Sequence, residues 1–213
     1  MHHIIMHLDF VSPYAWLAFQ QLPQTLQGLS VHVEYRPVLL GALLRENSNP
    51  GPATIPKKRI WIYHHALWLA QHNGLSLEMP AVHPFNPVEL LRLALQTSTD
   101  GSINRYVTET VFRHVWEGGL DPLAPERLQA LQSTLQPRIR THADVAEQSK
   151  HMLRNNSEQA SAAGVFGVPA FEVRGEVFWG MDSLPMLRDF LDGNAWFQSK
   201  TWENARGISS GLA

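Results

Sequence analysis

Hydrophobic and polar positions change their spacing several times along the 213 residues of the chain. Residues 4–8 form an apolar run that predicts a strand, and residues 12–27 carry apolar side chains at helical spacing. Residues 31–35 alternate apolar and polar side chains, which favours a second strand. The segment 47–52 has the Asn, Pro and Gly content of a loop. The start of the chain therefore predicts the order strand, helix, strand, loop.

The middle of the chain has helical spacing throughout. Residues 57–73 are apolar around much of the helix circumference and stop at a glycine, which predicts a helix buried between others. Further helices are expected at about 87–98, 101–116, 124–135 and 142–163.

The end of the chain returns to strands. Two short apolar segments, 170–173 and 176–179, flank a turn and predict a hairpin, and a last helix follows Asp182. The order βαβ, helices, ββα fits an α/β protein of thioredoxin-like fold with an all-helical insertion domain. We expect a discontinuous thioredoxin-like domain, a helical insertion and a C-terminal tail, with the bounds 1–56 plus 164–193, 57–163 and 194–213, respectively.

Composition narrows the classes of function. The net charge of −2 gives no reason to expect a nucleic acid or an anionic membrane as partner. No apolar stretch of about 18 residues is present, so we expect no membrane segment and a cytoplasmic location. The absence of cysteine excludes disulfides, thiolate zinc sites and an internal redox couple. The eleven histidines include no metal-binding motif, and no metal is expected.

Ser12 precedes Pro13 at the start of the first predicted helix, which is a common helix cap. The same position could stabilise an anion, because free N–H groups and the positive end of the helix dipole meet there. A thiolate is stabilised at such a site. Since the chain has no cysteine, a thiol bound there would have to come from another molecule.

Val168 and Pro169 lie directly before the predicted hairpin. An ordinary trans proline at a strand edge would explain this step. A cis bond would instead turn the N–H and C=O of Val168 outward for strand-like pairing with a peptide ligand. In a thioredoxin-type fold the first helix start and this step meet, so we expect Ser12 beside Val168.

Two polar groups allow both a structural and a binding interpretation. Asp182 could cap the last helix, or it could bind an ammonium group while Ser183 binds the neighbouring carboxylate of a γ-glutamyl end. The cations 57–59 open a predicted helix and oppose its dipole. They form either a solvated turn or a pocket for an anionic substrate, with Asn49 assisting, and charge alone does not distinguish Lys57 from Lys58.

The Pro-rich turn 83–87 contains two further candidates. His83 and Asn86 could line a pocket, or they could belong to a purely structural turn, which is the simpler interpretation. Trp16 and Trp179 are core residues by default and could border the site.

Three segments carry a resemblance to a known family: residues 9–18 (DFVSPYAWLA), 164–169 (GVFGVP) and 178–184 (FWGMDSL). Together they resemble the 2-hydroxychromene-2-carboxylate isomerase family. That family is similar to kappa-class glutathione transferases and shares its fold with bacterial disulfide oxidoreductases. The resemblance covers about residues 3–192.

The resemblance implies glutathione as cofactor, with Ser12 activating its sulfur and Val168 holding its backbone beside a cis Pro169. It implies that Asp182 and Ser183 form the γ-glutamyl site. Asn49 and Lys58 fall near positions that face ligand in the family. The resemblance also implies a homodimer that acts on a small aromatic carboxylate in aromatic-compound catabolism.

The implied reaction interconverts 2-hydroxychromene-2-carboxylate, or a similar cyclic hemiketal acid, and trans-o-hydroxybenzylidenepyruvate. It proceeds by reversible thiolate addition, bond rotation and elimination, so glutathione is not consumed. A kappa-type transferase or peroxidase would share every residue named above. A non-catalytic binder of glutathione or another thiol peptide is a third alternative.

Overall fold

The computed structural model describes residues 1–211, and its centre is a four-stranded mixed sheet. The sheet has the order β2-β1-β3-β4. Strand β1 pairs in parallel with β2 and antiparallel with β3, which forms an antiparallel hairpin with β4. The strands span His2–Leu8 (β1), Val31–Pro37 (β2), Ala170–Val173 (β3) and Glu176–Trp179 (β4). The predicted α/β thioredoxin-like fold is confirmed.

Nine α-helices are present within residues 1–211. Helix α1 (Pro13–Thr25) connects β1 to β2, and α2 (Leu40–Glu46) follows β2. Five fill the segment before β3: α3 (Pro56–Asn73), α4 (Val88–Leu95), α5 (Arg105–Trp116), α6 (Pro125–Leu135) and α7 (Val145–Ala162). Two follow β4, α8 (Leu184–Leu191) and α9 (Lys200–Ala205). None of the helices of residues 1–211 is long and apolar enough to cross a membrane.

The larger of the two hydrophobic clusters within residues 1–211 joins the sheet to the helical segment. Trp16 and Phe19 of α1 stack on each other, and both rings contact Phe112 of α5. Ile4 and Met6 of β1, both fully buried, belong to the same cluster. Because α1 packs on both sides, its N-terminus is held rigidly at the boundary between the sheet and the helices.

The structure corrects several predicted elements. Helix α2 was not predicted, since its seven residues follow a strand without a capping side chain. Helix α5 begins at Arg105 rather than at 101, because Ile103 donates its N–H to the carbonyl of Tyr35 and Asn104 caps the helix. Helix α4 ends at Leu95, and α7 begins at Val145.

The predicted burial of helix α3 is wrong. Only Ala66 and Ala70 of this helix are buried. Its large apolar side chains lie on the outer face, with Trp61 66% and Trp68 54% exposed. The small alanine side chains let the helix approach its neighbours closely, and the aromatic side chains are left to solvent or to a cleft.

The segment after α8 packs on the sheet domain. The ring of Phe197 contacts those of Phe178 in β4 and Phe190 in α8. The predicted tail, 194–213, therefore contains packed structure as well as α9. The division into domains stays a prediction.

Candidate functional site at the N-terminus of helix α1

Ser12 is the N-cap of α1, with Pro13 in the first turn. Its Oγ accepts a hydrogen bond from the N–H of Ala15 at 3.2 Å and is 3.4 Å from the carbonyl oxygen of Val168. A hydroxyl hydrogen bond normally measures about 2.5–3.0 Å, so the contact with Val168 is weak. The N–H of Tyr14 donates to none of the residues 1–211. The Ser12 hydroxyl proton and the Tyr14 amide are thus available to an anion.

Three side chains fix the loop that leads into Ser12. The indole N–H of Trp116 donates to the carbonyl of Phe10 at 3.0 Å, and Nε2 of His83 donates to the carbonyl of Val11 at 2.8 Å. The N–H of Val11 in turn donates to Oδ1 of Asp9 at 3.1 Å. The position of Ser12 is therefore set by Asp9 of the same loop and by two residues from distant parts of the chain, His83 and Trp116.

Asp9 is fully buried beneath this loop. Its second carboxyl oxygen accepts the N–H of Leu40 at 2.9 Å, which ties the loop to the start of α2. Burial raises the pKa of Asp9 to about 7, although its backbone hydrogen bonds act in the opposite direction. Sequence reasoning assigned no role to this carboxyl, because its burial cannot be deduced from the motif.

The Val168–Pro169 peptide bond is cis, as one of the two sequence interpretations required. The carbonyl of Pro169 accepts the N–H of Gly180 at 2.9 Å, whereas the N–H of Val168 finds no acceptor within residues 1–211. Ser12 and Val168 are neighbours, as predicted. The backbone of Val168 can therefore pair with an extended ligand.

A cleft of about 570 Å³ opens beside this pair. Helix α3 and the outer face of α1 form one wall, and the segment from Val168 to the start of α8 forms the other. The main side chains of the first wall are Tyr14, His65, Trp68 and His72, and those of the second are Val168, Pro169, Trp179 and Asp182. The walls are thus mainly aromatic and apolar, with one carboxylate.

Asp182 does not act as a helix cap in this structure. The cap position of α8 is Ser183, and no side chain there accepts a helix N–H. Asp182 is exposed to the cleft and forms no ion pair with any residue of the range 1–211. Ser183 donates its hydroxyl to the carbonyl of Gly180 at 2.8 Å. The Asp182 carboxylate is therefore free to bind a cation.

Six predicted ligand residues lie outside the cleft walls, namely Ser12, Ser183 and four others. Asn49 accepts the N–H of Gly51 in a tight turn, Asn86 accepts that of Val88, and Lys58 is exposed in the first turn of α3. His83 uses both ring nitrogens, towards Val11 and the hydroxyl of Tyr63, and burial lowers its pKa. Contact of these six residues with a ligand stays a prediction.

The two tryptophans considered from the sequence differ in position. Trp179 lines the cleft, whereas Trp16 is only 1% exposed. The indole N–H of Trp16 donates to the carbonyl of Ser76 at 2.8 Å, so Trp16 belongs to the core.

Sequence reasoning missed the contact between Tyr14 and His65. The Tyr14 hydroxyl lies 2.9 Å from Nδ1 of His65, and both side chains line the cleft. Sequence reasoning gave His65 no role beyond its place among the eleven histidines, which include no metal-binding motif. The contact joins α1 to α3, which sequence spacing alone cannot reveal.

Comparison with known proteins finds relatives that are similar over most of the chain. 2-Hydroxychromene-2-carboxylate isomerase of Sphingobium xenophagum is 26% identical over 200 residues, which cover 88% of this chain and 97% of that protein. Glutathione S-transferase kappa 2 of Caenorhabditis elegans is also 26% identical over 200 residues, with 86% and 88% covered.

The fold is shared with a solved structure of a 2-hydroxychromene-2-carboxylate isomerase. The two structures superpose with a TM-score of 0.70 at 22% identity, over 97% of this chain and 100% of that chain. The model of the DSBA-like thioredoxin domain family matches residues 3–192. With a matching sheet, a helix N-terminus facing a cis proline and a family match over most of its length, this chain belongs to the DSBA-like thioredoxin domain family.

Proposed function

We propose that this protein is a glutathione-dependent isomerase that interconverts 2-hydroxychromene-2-carboxylate, or a similar cyclic hemiketal acid, and trans-o-hydroxybenzylidenepyruvate. The observation that carries the proposal is the meeting of Ser12 with the cis Val168–Pro169 step in a chain without cysteine. A thioredoxin-like site of this kind has no thiol of its own. The similarity to isomerases and kappa-class transferases supports an enzyme that uses glutathione.

The residues present fit the cysteinyl and γ-glutamyl parts of glutathione. The free N–H of Val168 and its carbonyl suit the cysteinyl backbone, because an extended peptide pairs with such an edge. The Asp182 carboxylate suits the ammonium of the γ-glutamyl end, whereas the N–H and hydroxyl of Ser183 both donate to the carbonyl of Gly180 and would have to exchange that acceptor for the γ-glutamyl carboxylate. Ser12 and the free Tyr14 N–H suit the sulfur.

Bound glutathione supplies a thiolate that adds reversibly to a conjugated double bond and so permits rotation about that bond. Ser12 stabilises this thiolate with its hydroxyl proton, a hydrogen bond to charge worth about 1.5–3 kcal/mol. The N-terminus of α1 adds the positive end of its dipole. Trp68 and Trp179 add aromatic surface to the walls of the cleft.

A kappa-type glutathione transferase or peroxidase is the second candidate, favoured by the similarity to the Caenorhabditis elegans transferase. It would use the same residues and differ in consuming glutathione. Cytoplasmic location, homodimeric assembly and an aromatic carboxylate as the natural substrate are further parts of the proposal. Light scattering of the purified protein tests the dimer.

The test is turnover with glutathione counted before and after the reaction. Purified protein is incubated with trans-o-hydroxybenzylidenepyruvate and glutathione, and the ultraviolet spectrum follows the substrate. An isomerase forms the cyclic product and leaves the free thiol unchanged. Consumption of one thiol per product would establish the transferase instead, and saturable binding without turnover would establish a binder. S-methylglutathione, which has no free thiol, serves as control and should support no reaction.

A further inference from the structure

Tyr14 and His65 form a hydrogen-bonded pair on one wall of the cleft. The Tyr14 hydroxyl lies 2.9 Å from Nδ1 of His65, and the two rings are 5.7 Å apart. Tyr14 stands two residues after Ser12 in the first turn of α1. The pair is thus attached to the same helix end that holds the proposed sulfur site, and the proposed function gives it no task.

The imidazole of His65 is held in a fixed plane. It stacks between Trp61, at 5.7 Å and 9°, and Trp68, at 6.3 Å and 10°. Trp61, His65 and Trp68 lie on successive turns of α3, and Tyr14 lies at the start of α1. A polar group held by stacking and by a hydrogen bond is preorganised, which is what stabilisation of a reacting atom requires.

The donor and acceptor roles of Tyr14 and His65 follow from their hydrogen-bond partners. Nε2 of His65 has no hydrogen-bond partner within residues 1–211. Burial raises the pKa of Tyr14, as does the nearby Asp182 carboxylate, so the phenol keeps its proton. When the Tyr14 hydroxyl donates to Nδ1, the proton of a neutral imidazole resides on Nε2. That N–H is then a donor without an acceptor in the cleft wall.

We propose that His65, oriented by Tyr14, donates a hydrogen bond from Nε2 to the carbonyl oxygen of a conjugated carbonyl substrate. The inference rests on the proposed function and adds the residue that binds the carbonyl of its aryl enone substrate. The hydrogen bond withdraws electron density from the double bond, while the proton stays on nitrogen and no bond breaks. The flat rings of Trp68 and Trp179 line the same cleft and suit the aryl group.

A spectroscopic test needs no turnover. Benzylideneacetone labelled with carbon-13 at its carbonyl is bound to the protein together with S-methylglutathione, and infrared difference spectra give the carbonyl stretch. Because neither the chain nor this glutathione derivative carries a thiol, the enone stays intact. We expect a stretch at lower frequency in the wild-type complex than in His65→Phe, which keeps a flat ring between the tryptophans.

Further variants separate donor and positioning roles. Tyr14→Phe should give an intermediate or mixed carbonyl stretch, because the imidazole loses the partner that fixes its proton. The double variant should match His65→Phe. His64→Asn and Tyr106→Phe remove an exposed imidazole and a phenol outside the cleft, and both should give the wild-type frequency.

Turnover in the presence of glutathione gives the second measurement. Loss of a preorganised donor lowers kcat by about 10²- to 10³-fold, and we expect this for His65→Phe with glutathione affinity unchanged. An unshifted wild-type carbonyl, or identical frequencies in wild type and His65→Phe, overturns the inference even when the enzyme is an active isomerase. A protein that turns over no enone refutes the proposed function, whatever the infrared spectrum shows.

Discussion

Replacement of Asp182 by alanine should separate ligand binding from folding. In this structure the carboxylate accepts no helix N–H and forms no ion pair within residues 1–211, so its removal leaves no protein group unpaired. An exposed side chain of this kind changes the free energy of unfolding by about 0.5 kcal/mol or less. A helix-capping aspartate would instead contribute about 0.5–2 kcal/mol.

The expected loss of affinity follows from the contact that Asp182 would form with glutathione. A hydrogen bond between a carboxylate and an ammonium group contributes about 1.5–3 kcal/mol. That range corresponds to a rise of about 10- to 150-fold in the dissociation constant. Asp182→Asn keeps the shape and one acceptor oxygen but removes the charge, so it should show a smaller rise.

Isothermal titration calorimetry with glutathione measures the affinity, and chemical denaturation measures the stability. Asp189→Ala removes an exposed carboxylate of α8 that lies outside the cleft, and it is the matched control. An unchanged dissociation constant in a folded Asp182→Ala protein would refute the γ-glutamyl role. A loss of stability of more than about 1 kcal/mol with unchanged affinity would restore the capping interpretation.

Three further predictions concern Asp9, Gly180 and Lys58. The pKa of Asp9 is raised to about 7 in the folded protein, so the stability that this carboxyl contributes is complete below its unfolded pKa and is lost as the pH rises from about 4 to about 7. In urea denaturation, the wild type should therefore lose stability relative to Asp9→Asn across that pH range. A constant difference between the two proteins would contradict the raised pKa. Gly180 has φ +95°, and a Cβ added there would lie 2.3 Å from Oδ1 of Asp182. Gly180→Ala should therefore displace the Asp182 carboxylate and weaken glutathione binding in calorimetry. Normal affinity of this variant would argue against a fixed position of Asp182. Lys58→Met should raise the KM of a carboxylate substrate but not that of a neutral enone, with Lys57→Met as control; equal effects on both substrates would remove the anion site.

Sequence reasoning predicted the fold well because the patterns that mark its strands and helices are local in the sequence. Apolar runs, turn residues and the Pro13 and Gly74 boundaries mark the strands and helices α1 and α3 directly. The cis bond before Pro169 and the contact of Ser12 with Val168 were predicted from the order of elements and the family resemblance.

The parts that were missed depend on tertiary contacts. An apolar helix such as α3 could be buried or could line a cleft, and only the packing of Ala66 and Ala70 shows which side is inside. The burial of Asp9 and the pairing of Tyr14 with His65 each need two elements to meet. His83 was expected to face a ligand, yet its ring holds the loop before Ser12 through Val11.

The most direct test of the central claim is the ionisation of bound glutathione in wild type and in Ser12→Ala. A free thiol has a pKa of about 8.5, and the hydroxyl hydrogen bond of about 1.5–3 kcal/mol corresponds to a shift of roughly one to two units. Thiolate absorbance of the glutathione complex, titrated from neutral to alkaline pH, reports this pKa in both proteins. We predict a wild-type pKa well below that of free glutathione and a mutant pKa raised by about one to two units, with activity at neutral pH about 10- to 100-fold lower. Identical titration curves for the two complexes would contradict the account and leave Ser12 as a helix cap.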